Sequence, residues 1–212
     1  LAIHTIGAHA LTALDAGPGR LDLLGWAVAQ TGQWGTQDHD AWAYAIEAGY
    51  QLPRVPWSPW VRIGFDGSSG DGSPADGRHD TFFQLLPTAR TYAAFPFYNA
   101  MNSQDALAEL ILRPHTRVTV KAEYHHLRVS NRHDLWYAGG GAGNASIFGY
   151  AGSPANGRRN LAQVASLSVV ATVLRSVTVA GFYGHAFGGA VVRQSFVDSD
   201  ADYGFVEATF RY

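Results

Sequence analysis

Long stretches of this chain alternate, residue by residue, between large apolar side chains and small or polar ones. In AWAYAIEAGYQ (41–51), Trp42, Tyr44 and Ile46 belong to one set, and the intervening set consists of Ala, Glu, Gly and Gln. Successive side chains of a β-strand point to opposite faces, whereas a helix repeats about every 3.6 residues. Because the period of two recurs along the chain and no helical period competes with it, the sequence predicts an all-β protein.

Nine segments carry the alternation, and we predict strands at about residues 4–14, 21–32, 40–51, 59–67, 103–113, 116–129, 161–174, 176–187 and 202–212. Most of them reach the length of about nine to eleven residues that a tilted strand needs to cross a bilayer. Their connections alternate between brief turns, such as PHT, and long loops, such as 67–102 and 130–160, with GTQDH (35–39) assigned to the loop side. Short turns at one end and long loops at the other are typical of outer-membrane barrels.

The distribution of charge favours a membrane barrel over a soluble sandwich. Only 15% of the residues are charged, against about a quarter in ordinary soluble domains. A basic side chain that faces lipid near the bilayer midplane costs about 2–4 kcal/mol, and Arg62, Lys121 and Glu123 all fall on the less apolar face of their strands. We therefore predict one antiparallel, up-and-down transmembrane β-barrel domain over residues 1–212, located in an outer membrane and in contact with its lipid.

The last segment, YGFVEATFRY (203–212), places Phe210 and Tyr212 on its apolar face. We expect this strand to close the seam of the barrel and to be the segment that the outer-membrane assembly machinery recognises. Nine strands is an odd count, whereas bacterial up-and-down barrels have even strand numbers. We therefore expect the chain to be the C-terminal part of a longer protein.

Composition argues against several other classes of protein. The net charge of −2 does not fit a nucleic-acid-binding surface. The absence of Cys excludes disulfides, zinc–thiolate sites and thiol catalysis. Ser166, Ser168 and His185 would serve a lipid hydrolase only if they converged with an acid. We expect no enzymatic activity and no cofactor.

Four segments carry a family resemblance: DTFFQLLPTARTY (80–92), AEYHHLRVSNRHDLWYAGGGA (122–142), FGYAGSPANG (148–157) and FYGHAFGG (182–189). In this order they are similar to the alginate export family of Gram-negative outer-membrane proteins, and the resemblance covers about residues 60 to 212. It implies a monomeric barrel of eighteen strands, of which this chain supplies the C-terminal half. It also implies passive export of an anionic uronate polymer through a lumen lined with basic residues.

Six charged residues are candidates for the wall of the transport pathway: Arg62, Arg90, Arg113, Lys121, Glu123 and Arg211. Arg62 and Lys121 are expected to guide an anionic solute, because a low-dielectric channel focuses the field of its charges. The alternative is that they pair with lumen carboxylates and stiffen the wall. The charges on this face are mixed, so either strands outside this sequence supply the basic residues or the solute is not a polyuronate.

These residues predict a channel for an acidic polysaccharide, alginate-like, or for a small acidic solute. The alternative from another class is a lipocalin-like barrel that holds a small apolar ligand. The two differ in which face is apolar, since a lipocalin would turn Trp42, Tyr44 and Ile46 inward.

TFFQLLPT (81–88) predicts a constriction loop, whose residues are Phe82, Phe83, Gln84, Leu85, Leu86, Pro87 and Thr88. Its four large apolar side chains would lose several kcal/mol in water at about 25 cal/mol per Å², so we expect them to pack against the strands and narrow the mouth. A cluster among loops above the membrane is the alternative.

Two further sets of residues suggest metal binding only weakly. Asp66, Asp71 and Asp76, in DGSSGDGSPADG (66–77), supply the oxygen atoms that calcium prefers, but they lack the compact spacing of an EF-hand. His125, His126 and His185 lack completing ligands, so we expect them to pack in the aromatic girdle or at the rim. The prediction is that the chain binds no metal.

Overall fold

The computed structural model describes residues 1–73, 75–85, 95, 98–138 and 150–212. Its main element is one antiparallel sheet of nine long strands: β1 (Ala2–Ala16), β2 (Gly19–Trp34), β3 (Gln37–Gln51), β4 (Trp60–Ser68), β6 (Ser103–His115), β7 (Val118–Val129), β10 (Asn160–Leu174), β11 (Val177–Gly188) and β12 (Ala201–Phe210). Three short strands, β5 (Arg78–His79), β8 (Leu135–Ala138) and β9 (Ala151–Pro154), and a 3-10 turn at Val192–Gln194 lie in the connections.

Each long strand is hydrogen-bonded to the long strand that follows it along the chain. All nine predicted strands are therefore confirmed, as is the antiparallel all-β class. Within the described part of the chain, β1 and β12 are the two edges of the sheet and do not pair with each other. No helix in the described segments is long and apolar enough to cross a membrane.

The connections differ between the two ends of the sheet. Residues 17–18, 52–59, 116–117 and 175–176 join strands at what we call the short-turn end. The described residues of the connections 69–102, 130–159 and 189–200 lie at the opposite, loop end. The assignment of GTQDH as a loop is wrong. β2 ends at Trp34 and β3 begins at Gln37, so only Gly35 and Thr36 form the turn. Gly35 has a φ of 64°, a conformation that glycine adopts at little cost.

The two faces of the sheet are chemically different. The outer face, as we call it, carries Ile46, Val61 and Ile63, whose side chains are 64%, 53% and 61% exposed. The other residues predicted to face outward lie on the same side, with Trp42 exposed and Tyr44, Val118 and Val120 half-buried. Exposed apolar area of this extent is expected of a surface that meets lipid.

Connections from the loop end cover part of the opposite, inner face. We call the described residues of 69–85 and 130–138 the plug. Phe82 packs on Ala41 and Ala43 of β3, whose small side chains leave room for its ring. Trp136 is buried in a second cluster that includes Val164 and Phe182 of β10 and β11.

Polar side chains fix the plug to the wall. The Gln30 side chain, 1% exposed, donates from Nε2 to the carbonyl oxygen of Phe83 at 2.8 Å, and its Oε1 accepts from the Phe83 N–H at 2.9 Å. Asp134 accepts from the Thr81 hydroxyl at 2.6 Å and from the Asp71 N–H at 2.8 Å. Burial raises the pKa of the Asp134 carboxyl, although these hydrogen bonds act in the opposite direction.

A histidine pair forms a third attachment. His79 of β5 lies flat on the Trp34 ring, with centroids 4.3 Å apart, and its Nδ1 is 2.9 Å from Nδ1 of His39. Burial and the neighbouring His39 lower the pKa of His79 to about 4. His79 is therefore neutral at pH 7. In the unfolded chain His79 takes up a proton near its ordinary pKa of 6.5, whereas in the folded protein it does so only near pH 4. The contribution of neutral His79 to folding stability is therefore complete above pH 6.5 and is lost as the pH falls through about 4.

The TFFQLLPT segment lies only partly as expected. Phe82 and Phe83 are buried against the inner face, and the Tyr150 hydroxyl donates to the carbonyl oxygen of Gln84 at 2.9 Å. Leu85 was expected to be buried but is 48% exposed. It follows Gln84, which is the last residue of the segment with a hydrogen bond to Tyr150. Leu86, Pro87 and Thr88 lie outside the described residues.

We predict that Gln30→Ala loosens the plug. The substitution removes both hydrogen bonds that the Gln30 side chain makes to the Phe83 backbone, and each such bond contributes about 0.5–1.5 kcal/mol. Hydrogen exchange of residues 81–85 in the full-length protein should rise sharply. Gln33→Ala, at an exposed position of the same strand, is the matched control, and equal protection in the two variants would show that Gln30 does not hold the plug.

Candidate functional site: the inner face

A row of charged side chains crosses the inner face between the plug and the short-turn end. It runs over five consecutive long strands, which place its members side by side: Asp22, Glu47, Arg62, Glu109, Lys121 and Glu123. We call this row the charged belt. Because side chains alternate along each strand, the same register that turns these residues inward turns Ile46, Val61 and Val120 outward.

Arg62 is the centre of one half of the belt. A terminal nitrogen of its guanidinium lies 2.7 Å from Glu47 Oε2 and 3.6 Å from Asp22 Oδ1. The guanidinium also lies 5.0 Å from the centroid of the Trp60 ring, and Trp60 Nε1 donates to Asp22 Oδ2 at 2.7 Å. One cation thus holds two carboxylates, and Trp60 restrains both the cation and one of its partners.

Lys121 has the same part in the other half. Its ammonium lies 2.6 Å from Glu123 Oε1 and 3.4 Å from Glu109 Oε2. Glu109 and Glu123 stand directly opposite each other on β6 and β7, where two like charges repel. The Ser166 hydroxyl donates to the second oxygen of Glu123 at 3.1 Å.

The belt therefore contains four carboxylates and two cations. Arg62 and Lys121, which the sequence suggested as guides for an anion, are both engaged by carboxylates. This is the pairing that the sequence left open as the alternative. A solute beside the belt therefore meets a wall whose two cations are both paired and whose carboxylates outnumber them, which leaves a net negative charge.

A different set of cations surrounds the short-turn end. It consists of five exposed arginines, three in connections, one near the end of β6 and one just beyond β12: Arg54, Arg117, Arg175, Arg113 and Arg211. In the described part of the chain none of them takes part in an ion pair, whereas Arg20, at the same end, is paired with Asp15 at 3.3 Å. We call the five arginines the short-turn rim. Sequence reasoning selected only Arg113 and Arg211, because a single Arg in a turn has no pattern to distinguish it.

A buried acid–histidine pair lies nearer the loop end. His125 Nδ1 is 2.6 Å from Asp105 Oδ2, and both side chains are buried on the inner face. The expectation that His125 packs in the girdle or at the rim is wrong. The alternation of Lys121, Glu123 and His125 indicates an inward position, but only the strand register identifies Asp105 as the partner. His126 and His185 point outward.

The remaining predicted residues do not form a common site. Arg90 lies outside the described residues. The Asp71 carboxylate accepts from the Ser73 N–H and that of Asp76 from the Arg78 N–H, while Asp66 faces inward on β4. Among the residues that the structure describes, no group of three His, Asp or Glu side chains is placed to hold a metal.

The serines and the histidine considered for hydrolysis lie apart. Ser166 is on the inner face beside Glu123, and Ser168 is two residues further along the same face. His185 is on the outer face, where its Nδ1 is 2.8 Å from Asp202. The sheet separates the hydroxyls from the imidazole, so this arrangement does not support a Ser–His pair.

We predict that Lys121→Gln destabilises the protein by about 2 kcal/mol. Breaking a fully buried ion pair costs about 3–5 kcal/mol. The cost is smaller here because the Lys121 side chain is 33% exposed to solvent. The thermal unfolding midpoint of the full-length protein measures the effect. The double variant Lys121→Gln with Glu109→Gln removes the repulsion and should recover much of the loss; no recovery would mean that the glutamate pair is not its source.

Comparison with known proteins agrees with this architecture. No curated protein matches the chain at a significant level. The model of the alginate export family matches residues 2–207, which is nearly the whole sequence. The chain is a member of the alginate export family.

Proposed function

We propose that this chain forms part of the wall of an outer-membrane channel of a Gram-negative bacterium, through which an acidic polysaccharide of the alginate kind passes down its gradient. The observation that carries the proposal is the unpaired arginine rim at one end of a sheet whose outer face is apolar and whose inner face is charged. No bond is made or broken in this function, and no cofactor takes part.

The apolar outer face supports the membrane location. Water would leave the exposed side chains of Ile46, Val61 and Ile63 unfavourably solvated, whereas the hydrocarbon of a bilayer solvates them well. The free edges β1 and β12 need partner strands, since an unpaired strand edge is costly in lipid. We propose that further strands complete an eighteen-stranded barrel, which acts as a monomer and whose last strand the assembly machinery recognises.

The short-turn rim supports the charge of the solute. Five exposed arginines, which have no carboxylate partner within the described residues, give this end a positive potential, which raises the local concentration of an anionic polymer at the mouth. Short turns lie on the periplasmic side of outer-membrane barrels. A polyuronate made inside the cell would therefore meet the rim first, which favours export.

The charged belt complements the rim. A polyanion that bound tightly along the whole wall would not leave, because conduction needs sites that are favourable to enter and weak enough to release. Carboxylates beside Arg62 and Lys121 reduce their attraction for the polymer. We propose that the rim collects the polymer and that the belt lets it move on.

The plug narrows the pathway at the loop end in this proposal. Phe82, Phe83 and Trp136 occupy space over the inner face that an open barrel would leave to water. A small acidic solute could use the same route, and the width beside the plug would decide which molecules pass.

The lipocalin alternative is not favoured. A lipocalin holds its ligand in an apolar interior, whereas here Trp42, Ile46 and Ile63 are exposed on the outer face and the charged belt lies on the inner one.

We predict that the rim sets the preference for anions. Replacing Arg54, Arg117 and Arg175 with Gln should shift the reversal potential of the reconstituted full-length channel toward cations in asymmetric KCl, because it removes three unpaired positive charges. The matched lysine variants keep the charge and should leave the potential unchanged. An unchanged potential in the glutamine variant would contradict the proposed role of the rim.

We also predict opposite effects from the two members of a belt pair. Arg62→Gln frees Glu47 and Asp22 and should shift selectivity toward cations, as should the double variant Arg62→Gln with Lys121→Gln. Glu47→Gln removes one of the two carboxylates that Arg62 holds and should shift selectivity toward anions. The same asymmetric-salt measurement applies, and a shift of the same sign in both single variants would show that the belt does not face the conducting path.

A further inference from the structure

Four arginines lie together where β7 and β10 reach the loop end. Arg128 is the last but one residue of β7 and pairs with Asn160. Beyond it, the Val129 N–H donates to the carbonyl oxygen of Arg159 at 2.9 Å, and the Gly157 N–H donates to that of Arg132 at 2.9 Å. Arg158 directly precedes Arg159 in the chain. Because paired chains lie about 4.8 Å apart, these contacts bring the four arginines into one small area. We call this set the arginine patch: Arg128, Arg132, Arg158 and Arg159.

The charges of the patch are not neutralised. All four side chains are exposed, and in the described part of the chain none takes part in an ion pair. The contacts made by two of them are to a backbone carbonyl and a neutral ring: Arg159 donates to the carbonyl oxygen of Ser130 and Arg132 to His133. Asp134 is close in sequence, but it is buried and accepts from Thr81 and Asp71.

The patch stands above a surface of exposed aromatic and aliphatic side chains, which the His185–Asp202 pair interrupts. Arg128, His126 and Tyr124 are successive outward positions of β7, so the outer face changes from cationic to aromatic within a few residues. Next to them on β10 and β11, Leu167, Tyr183 and Phe187 are 49%, 56% and 50% exposed. A molecule that covers both regions must be amphiphilic, with an anionic group at the loop end and hydrocarbon below it.

We propose that the arginine patch binds the phosphate groups of an anionic lipid, whose acyl chains lie on the outer face beside Tyr124 and Leu167. The proposal rests on the membrane location given above. It assigns the patch to a lipid and not to the transported polymer, because Arg128 points to the lipid side of the sheet and the polymer would follow the inner face.

Phosphate fits this patch for two reasons. The planar guanidinium makes paired hydrogen bonds to phosphate oxygens, and a phosphate monoester carries up to about two charges on a compact group. Several arginines on neighbouring chain segments can therefore share one or two phosphates. A bound headgroup would also tie together residues 128–132 and 157–160, which belong to two different strands and their loop.

The test compares lipids that differ only in the phosphate. The full-length protein in neutral detergent is incubated with phosphatidic acid or with diacylglycerol of the same acyl chains, and bound lipid is counted by native mass spectrometry. Replacing Arg128, Arg158 and Arg159 with Gln should weaken phosphatidic acid binding about a hundredfold, because each basic residue at an anionic surface contributes about a fivefold factor. Binding of diacylglycerol should not change.

The matched control removes three arginines from the other end. Arg54, Arg117 and Arg175 replaced with Gln should keep phosphatidic acid binding and lose anion preference, while the patch variant should do the reverse. A variant with Lys at the same three patch positions keeps the charge but loses the paired hydrogen bonds. It serves as the test if the Gln variant does not fold. It should bind phosphatidic acid severalfold more weakly than the original protein.

Three results would overturn the proposal. Equal binding of phosphatidic acid by the patch and rim variants would mean that total charge, and not the patch, controls the interaction. Equal binding of diacylglycerol and phosphatidic acid would remove the phosphate from recognition. Complete displacement of phosphatidic acid by an equal concentration of inorganic phosphate would show that the apolar surface takes no part. Because conductance is measured separately, a failure here leaves the channel proposal to its own test.

Discussion

Strand register is the constraint on which the rest of this structure depends. Side chains alternate across the sheet, so a slip of one residue in any pair would turn Arg62 or Lys121 toward the outer face and Val61 or Val120 toward the inner face. In the proposed membrane location the consequences are unequal, because a charge in lipid costs far more than an apolar side chain in water. The belt and the apolar outer face therefore fix the same strand register. A shift that moved the belt residues outward would also move the apolar residues inward.

Three zones of charge follow from this register and from the turns. The short-turn rim is positive and makes no ion pair among the described residues, the belt is paired with a residual negative charge, and the loop end combines the plug with the arginine patch. The zones come from different kinds of sequence. The belt lies in strands, where alternation directs it, whereas the rim and most of the patch lie in connections, where the geometry of the strand ends gathers them.

The strands and their two faces were predictable from the sequence because one simple period recurs over most of each strand. The turn at Gly35 was not, since β3 begins with the polar residues Gln37 and Asp38 and the apolar alternation stops before the strand does. The partnership of Asp105 with His125 depends on which residues the register sets side by side. The rim and the patch depend on residues from separate connections meeting in space. Leu85 escaped prediction because hydrophobicity indicates that a segment packs, not where its last anchored residue lies.

The alanines of β3 have a consequence for how this family can change. Ala41 and Ala43 are almost completely buried beneath Phe82, so the wall and the loop are shaped to each other like two parts of a core. A larger side chain in the strand would leave no room for the ring, and a smaller one in the loop would leave a void. Substitutions in the loop and in the strand that contact each other therefore need to occur together. A channel of a different width would be reached through paired substitutions and not through the loop by itself.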